Sequence, residues 1–461
     1  MKTSPIYVKS IKLTNIETFV EEVELKFLKA DDTISRWTLI LGDNGIGKSN
    51  LLQFIAWMKP QLPYDANDTN NLDPAPVIND EENEVLERLV HKDQNGSQEA
   101  VANALFVANQ SLNKKSTTRT SECKTEIIIG IDNLGKLKRV DPTLDADAQG
   151  IFYKEDVTVY GYSASRQLGK LNLNNPKLLD TIPNFIREKT ELYDAEEILH
   201  TLQYAALGSK KTEERQKYRS FIKRIKQMLV TLLPDFEQIQ HIEINPPTVF
   251  SQYSTGGLVI TTRHGQKIPF NDFSLGYKTV TSWVVDLAWR LFSKHHLTSD
   301  KPLEEPAIVL IDEIDLHLHP KWQQQIMANL SLHFPNVQFI ATAHSPLMVQ
   351  AAFDLNYAVL HYDKALGSVS ITNRPEGIDG WRVDQILTSD FFDLKSARGT
   401  AFDKLLSDRD ALVAKKRLTD LDKRRLKAIN AQLVQPPTSE NIEEVTNRRQ
   451  LAELVQKMRN K

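Results

Sequence analysis

Gly42-Asp43-Asn44-Gly45-Ile46-Gly47-Lys48-Ser49 sets glycines, an ammonium group and a hydroxyl at the spacing G-x-x-x-x-G-K-[ST]. Each part answers one need of a polyphosphate. Glycines let the backbone wrap closely so that its N–H groups cradle phosphate oxygens, Lys48 reaches the β and γ phosphates, and the Ser49 hydroxyl ligates Mg²⁺. Gly42, Asn44, Gly45, Gly47, Lys48, Ser49 and the adjoining Asn50 are therefore the nucleotide-binding candidates at this end of the chain. Far downstream, Asp312 and Glu313 follow the apolar run Ala307–Ile311. Two carboxylates at a strand's C-terminal edge lie where parallel α/β sheets bind ligands. Asp312 can hold Mg²⁺ directly or through water, and Glu313 can orient and deprotonate an attacking water. Many strands end in acid, so this pair carries little by itself; behind a phosphate loop it specifies a hydrolytic site.

Three further runs belong to the same constellation. Asn271-Asp272-Phe273-Ser274-Leu275-Gly276-Tyr277-Lys278 opens a helix, and the amides at Ser274 and Gly276 can receive a γ-phosphate. Phe339-Ile340-Ala341-Thr342-Ala343-His344-Ser345-Pro346 follows a second buried strand and offers His344. Gly161-Tyr162-Ser163-Ala164-Ser165-Arg166-Gln167 offers Gln167, or Arg166 instead, as the residue that matters in that run. His317 and His319 in Ile314-Asp315-Leu316-His317-Leu318-His319-Pro320 invite a metal reading, but only Asp315 is spaced to join them.

The elements needed to position these residues are legible from periodicity. Residues 6–27 alternate as two strands with a turn near Asn15, and 37–41 is a short buried strand running into Gly42. Apolar residues from Ser49 to Met58 recur at helical spacing, which gives strand, glycine loop, helix. Residues 59–120 read as an irregular insertion, with Pro60, Pro63, Pro74 and Pro76 ahead of a polar helical stretch around 82–89. Strands are expected at 125–131, 157–162, 248–253, 257–262, 267–270, 307–311 and 338–341, and helices at 196–233, 274–291, 320–332, 395–433 and 439–460. The stretch 210–226 holds eight Lys and Arg against Glu213 and Glu214; it is either a solvated helix face or a phosphate-contacting one.

Composition narrows the class. The chain has 461 residues, 41% hydrophobic and 25% charged, which excludes collagen-like or wholly disordered readings. No run reaches the ~18 apolar residues of a membrane span, and Cys123 alone allows no intrachain disulfide, so a reducing cytoplasm is the expected compartment. The net charge of -3 is an average over two unlike parts. Residues 395–461 hold 16 Lys and Arg against 9 Asp and Glu, or +7, which leaves -10 on the rest. A basic tail on an acidic body points to a partner.

In this order the motifs resemble an ABC ATPase head of the SMC and RecF branch, over roughly 1–58, 157–167 and 240–350. The resemblance implies an α/β ABC-type P-loop head assembled from two halves: 1–170, containing the insertion at 59–120, and 241–394. A helical insertion at 171–240 and a basic helical extension at 395–461 complete the chain. It implies that ATP and Mg²⁺ are the cofactors, that Ser274 and Gly276 belong to a signature motif serving an opposing subunit's ATP, that His344 senses the γ-phosphate, and that Asp315 lies in a loop crossing the interface. Glu313, Lys48 and His344 are the catalytic candidates; Ser49, Asp312 and Gln167 are the metal candidates.

A narrower resemblance rests on Ile311–Gln323, on Ala341–Leu347 and on Gly380-Trp381-Arg382-Val383-Asp384-Gln385-Ile386-Leu387. It is to the PtuA-like ATPases of Septu and some retron anti-phage systems. It implies a prokaryotic ATPase that forms an ATP-sandwiched homodimer, with higher oligomers left open, and that works with an HNH nuclease on nucleic acid. In a retron setting it would also meet a reverse transcriptase and its DNA/RNA product. No long heptad arm is present, and Asp420-Leu421-Asp422 lies in a charged helix rather than in a nuclease domain, so both acids read as ion-pairing residues. The alternative functions are an ATP-dependent DNA-binding repair clamp and a nucleotide-locked scaffold with negligible turnover.

Overall fold

The computed structural model describes residues 5–60, 100–108, 112, 121–129, 138–144, 157–171, 173, 181–186, 188–233, 236, 238–245, 257–262, 264–352, 355–375, 380–389, 391–392, 394, 396, 399–415 and 418–433. The strand expected at 248–253 and the helices expected around 82–89 and over 439–460 lie outside them. The chain divides into one unit over Met1–Ile386 and a second over Leu387–Lys461.

In the first unit, strands β1 (Ile6–Thr14), β2 (Val23–Lys26) and β3 (Trp37–Leu41) lead into helix α1 (Lys48–Trp57). Strands β4 (Ala100–Ala108), β5 (Ser121–Ile129) and β6 (Lys138–Leu144) follow, and β4 falls inside the stretch read from sequence as irregular. Its residues alternate inward as Ala100, Ala102, Ala104 and Phe106, and small alanines give too faint an apolar signal to mark the strand. Beyond them come β7 (Val159–Tyr162), β8 (Arg166–Leu171), α2 (Ile182–Ile186), β9 (Thr190–Tyr193), α3 (Ala195–Gly208) and α4 (Thr212–Leu232). The expected 196–233 helix is thus two helices, broken where the Ser209 hydroxyl donates to Glu214 at 2.7 Å. Strands β10 (Ile242–Asn245), β11 (Gly257–Thr261) and β12 (Lys267–Pro269) precede α5 (Leu275–His295), β13 (Ala307–Ile311), α6 (Pro320–Gln323), α7 (Ile326–His333), β14 (Val337–Thr342), α8 (Pro346–Ala351), β15 (Asn356–Asp363), β16 (Ser368–Asn373) and α9 (Val383–Leu387).

The six-stranded sheet has the order β16-β15-β3-β14-β13-β7. Neighbours from β15 to β7 are parallel and β16 is an antiparallel edge. Strand β14 separates β3 from β13, so the phosphate loop, the acidic strand end and the run before His344 all open at one edge. Register is pinned where Phe339 lies opposite Trp37, their rings stacked at 4.3 Å, a pair contributing roughly 0.5–1.5 kcal/mol beyond burial.

A five-stranded sheet of order β2-β1-β4-β5-β6 lies against the same core, to which α1 contributes Leu51, Leu52, Phe54 and Ile55. The two sheets are joined by a buried polar link. Strand β1 slips register against β4 between Val8 and Ser10. The Gln338 side chain on β14 takes up both Val8 backbone groups, accepting from its N–H at 3.0 Å and donating to its carbonyl at 2.9 Å.

In the second unit, α10 (Thr400–Val413) and α11 (Asp420–Gln432) form a helical pair around Leu412, Ile429 and Leu433. Asp420 pairs with Lys423 at 3.1 Å and Asp422 with Lys415 at 2.7 Å. The Lys415 contact and the Thr419 cap hold the Asp422 carboxyl down to about 2. Among the described residues no helix is long and apolar enough to cross a membrane.

Candidate functional site

Gly42, Gly45 and Gly47 have φ of 139°, 78° and 93°, so the loop between β3 and α1 uses a backbone that side-chain-bearing residues resist. A Cβ on Gly42 would also crowd the Leu360 carbonyl oxygen at 2.7 Å. Gly47 caps α1 with no side-chain acceptor, leaving first-turn N–H groups for an anion. Lys48 is buried and folds back onto the loop, donating to the Gly42 carbonyl at 2.8 Å and the Asp43 carbonyl at 2.5 Å. Burial pushes its ammonium down from the ordinary lysine range, against the pull of Asp312, Asp43, Glu313 and Asp315.

The acidic strand end closes the site from the other half of the chain. Ser49 Oγ donates to Asp312 Oδ2 at 2.7 Å, across 263 residues of sequence. Two hard oxygens at that spacing suit neighbouring ligands of an octahedral Mg²⁺, whose ~2.0–2.1 Å bonds place adjacent donors about 2.9 Å apart. Asp312 is held in turn by Thr342 Oγ1, which donates to Oδ1 at 2.6 Å. Glu313, half-buried and left-handed at φ 48°, donates its N–H to the same Thr342 oxygen at 2.7 Å.

Arg166 approaches from β8. Its Nη2 donates to the carbonyls of Asp312 at 2.5 Å and Glu313 at 3.3 Å, and its Nε is buried with no hydrogen-bond partner. Burial pushes the guanidinium down to about 10, against the pull of the Asp312, Glu313 and Asp315 carboxylates, so it stays charged at neutral pH. Gln167, next along β8 and registered with Glu191, makes none of these contacts; the hydrogen bonds to the acidic strand end come from Arg166.

Asp315 Oδ2 accepts the His344 N–H at 2.9 Å, which ties the loop after β13 to the turn after β14. Ser345 Oγ donates to Gln323 Oε1 at 2.6 Å and Gln323 Nε2 donates to the Leu318 carbonyl at 3.2 Å, and the expected 320–332 helix is two helices, α6 and α7. His319 caps α6, accepting from Lys321 N–H at 3.3 Å, and His317 is exposed in a left-handed turn at φ 63°. Ser274 and Leu275 stand exposed at the start of α5, while Gly276 packs so closely on the His317 carbonyl that no Cβ fits. Asn50 donates to the Glu17 carboxylate, which burial pushes up; Glu17 was not singled out in the sequence, nor was Thr342, though a hydroxyl ending a buried apolar strand was the available signal.

Three cations of the basic stretch are committed within the fold. Lys217 donates to the His296 carbonyl, Lys226 to the Ile242 carbonyl at 2.7 Å, and Arg224 pairs with Glu304 at 3.1 Å. A cavity of about 520 Å³ opens beside Lys217, Phe221, Arg224 and Phe292, away from the acidic strand end.

A phosphate loop, an acidic strand end and the turn carrying His344 open at one edge of a parallel sheet, the arrangement of a P-loop nucleotide-binding fold. Residues 152–349 match the family model for an AAA ATPase domain, and residues 10–237 match that for an AAA domain. The chain is homologous to retron ATPases and to Septu protein PtuA. It is 40% identical over 116 residues to "Retron Vc95 probable ATPase" of Vibrio cholerae serotype O1 biovar El Tor, covering 25% of this chain and 22% of that one. It is 31% identical over 170 residues to "Septu protein PtuA" of Bacillus thuringiensis, covering 34% and 41%. The chain thus spans less than half the length of these curated relatives. Among solved structures, an SMC head bound to the C-winged helix domain of ScpA aligns over 80% of this chain and 98% of that one, with 14% identity and a TM-score of 0.44.

Proposed function

We propose that this chain binds ATP with Mg²⁺ and hydrolyses it slowly, as a homodimer that sandwiches the nucleotide and controls a separately encoded HNH nuclease in anti-phage defence. The observation carrying the ATPase reading is the Ser49–Asp312 contact at 2.7 Å, which assembles a site from distant halves of the chain. Ser49 and Asp312 would hold Mg²⁺, which supplies positive charge to the phosphates. Lys48 would leave the Gly42 and Asp43 carbonyls for the phosphate oxygens, Glu313 would take the proton of the attacking water, and His344 would read the γ-phosphate side. Ser274 and Gly276, at an exposed helix start, would receive the γ-phosphate held by the other copy.

What supports the nuclease partnership is the resemblance to the PtuA-like ATPases, together with the pairing of Asp420 and Asp422 with lysines. The basic second unit is the surface assigned to that partner. A DNA-clamp role is weaker, because Lys217, Arg224 and Lys226 make contacts within the fold.

The test is phosphate release by wild type and Glu313→Gln, with size-exclusion chromatography with and without ATP. Slow release by wild type, release at least about 10²-fold slower by the variant and an ATP-dependent dimer that is most persistent in the variant are expected. Magnesium-dependent DNA cutting by the chain alone, abolished by Asp420→Ala, would overturn the nuclease-partner reading; equal phosphate release by both proteins would overturn the assignment of Glu313.

A further inference from the structure

The Glu313 peptide is gripped on both sides. Its left-handed backbone, φ 48°, is uncommon for a residue with a side chain and persists only where surroundings fix it. On the N–H side stands Thr342 Oγ1 at 2.7 Å, and on the carbonyl side Arg166 Nη2 at 3.3 Å. The two anchors come from different places: Thr342 ends β14, in the middle of the six-stranded sheet, whereas Arg166 begins β8, which belongs to the separate two-stranded sheet with β9. Each anchor also reaches Asp312, Thr342 at the carboxylate and Arg166 at the carbonyl. Thr342 is fully buried, so its hydroxyl has no water to turn to.

Resting on the reading of Glu313 as the base, we propose that Arg166 and Thr342 are positioning residues that clamp the Glu313 peptide in its left-handed state and so aim its carboxylate at the attacking water. Neither touches the reacting atoms; both act by fixing where the Glu313 Cα–Cβ bond points. A peptide released from either side relaxes toward the ordinary right-handed or extended regions and carries the carboxylate away. A base displaced by about 1 Å loses on the order of 10²-fold in rate.

The test measures kcat, KM and the dissociation constant of a fluorescent ATP analogue for wild type, Arg166→Gln, Thr342→Val and Thr342→Ser, and repeats Arg166→Gln and Thr342→Val in a Glu313→Gln background under single-turnover conditions. Arg166→Gln and Thr342→Val should lower kcat about 10²-fold, Arg166→Gln with little change in nucleotide affinity, and Thr342→Ser should restore most of the rate because it keeps the hydroxyl. In the Glu313→Gln background Arg166→Gln should cost nothing further, since there is no base left to aim, while Thr342→Val should keep only the part of its loss that comes from releasing the Asp312 carboxylate. The same fold-loss in both backgrounds would mean general damage to the fold and would overturn the clamp, as would unchanged kcat in both single variants. Wild-type turnover by Glu313→Gln alone would instead remove the underlying assignment of the base, and the clamp with it.

Discussion

Ser49 Oγ lies 2.7 Å from Asp312 Oδ2, although the two residues stand 263 positions apart. The contact joins the N-terminus of α1 to the end of β13 across the intervening β14. If these oxygens share one Mg²⁺, Ser49→Ala removes a ligand but leaves the phosphate loop intact. Magnesium should then lose most of its ability to tighten nucleotide binding, with affinity falling by about 10-fold or more, while affinity measured in EDTA stays near wild type. Titration of a fluorescent ATP analogue with and without Mg²⁺ checks this. A variant still tightened by Mg²⁺ to the wild-type extent would place the ion elsewhere.

The buried ion pair behind the site sets its stability. Arg290 and Asp286 are both fully buried on α5, with Nε to Oδ2 at 2.6 Å. Asp286 also accepts from the Tyr162 hydroxyl at 2.9 Å and the Tyr193 N–H at 3.0 Å. Asp286→Ala removes the carboxylate shared by a buried guanidinium and two further donors, and should destabilise the first unit by about 3–5 kcal/mol. Replacing the pair together, Asp286→Leu with Arg290→Met, should cost less, because no charge is left uncompensated. Urea denaturation of the two variants beside wild type gives the comparison.

Much of this arrangement was readable because chemistry and periodicity coincide at the sheet edge. The Gly42–Ser49 loop, the apolar run before Asp312 and the run before His344 each place a short buried strand next to the groups it presents, and β3, β13 and β14 follow. Strands that carry no chemistry were harder to see. The β4 alanines bury on one face without a strong hydrophobic signal, and the β15–β16 hairpin that completes the sheet edge went unmarked. The role of Arg166 against Gln167 was open, since two neighbours on one strand point to opposite faces and only the packing of β8 decides which meets Asp312. The helix breaks after Gly208 and Gln323 were also unmarked, since apolar spacing continues across both.

Alkaline pH should loosen the first unit. Burial, with the Asp286 charge second, raises the Tyr162 phenol well above its ordinary range, and burial does the same to Tyr7. An acid whose folded pKa lies above its unfolded value of ~10 contributes stability in full below pH ~10 and loses it as pH rises toward the folded value. The urea midpoint of wild type should therefore hold between pH 8 and 9.5 and fall above about pH 10. Tyr162→Phe should start lower, having lost its hydrogen bond to Asp286, but decline less steeply. A parallel decline in both proteins would show that other groups govern the alkaline limb.

Gly276 couples the start of α5 to the loop after β13, and a single methyl group tests that coupling. A Cβ at this position would meet the His317 carbonyl oxygen, a backbone atom that cannot swing aside as a side chain would. Either α5 must lift or the loop from Asp315 to His319 must retreat. That loop is already constrained: His317 is left-handed at φ 63°, and Asp315 Oδ2 holds the His344 N–H at 2.9 Å. Gly276→Ala should thus disturb the exposed start of α5 and the His344 turn together, while the phosphate loop, which makes its contacts through Lys48 and Ser49, keeps its shape. The expected result is near-normal ATP binding by the isolated head, with ATP-dependent dimerisation and phosphate release both reduced by on the order of 10-fold or more. Fluorescent-nucleotide titration, size-exclusion chromatography in ATP and a phosphate-release assay on the same preparation separate these effects. Wild-type dimerisation and turnover by Gly276→Ala would show that the contact with His317 yields easily and that neither property depends on it.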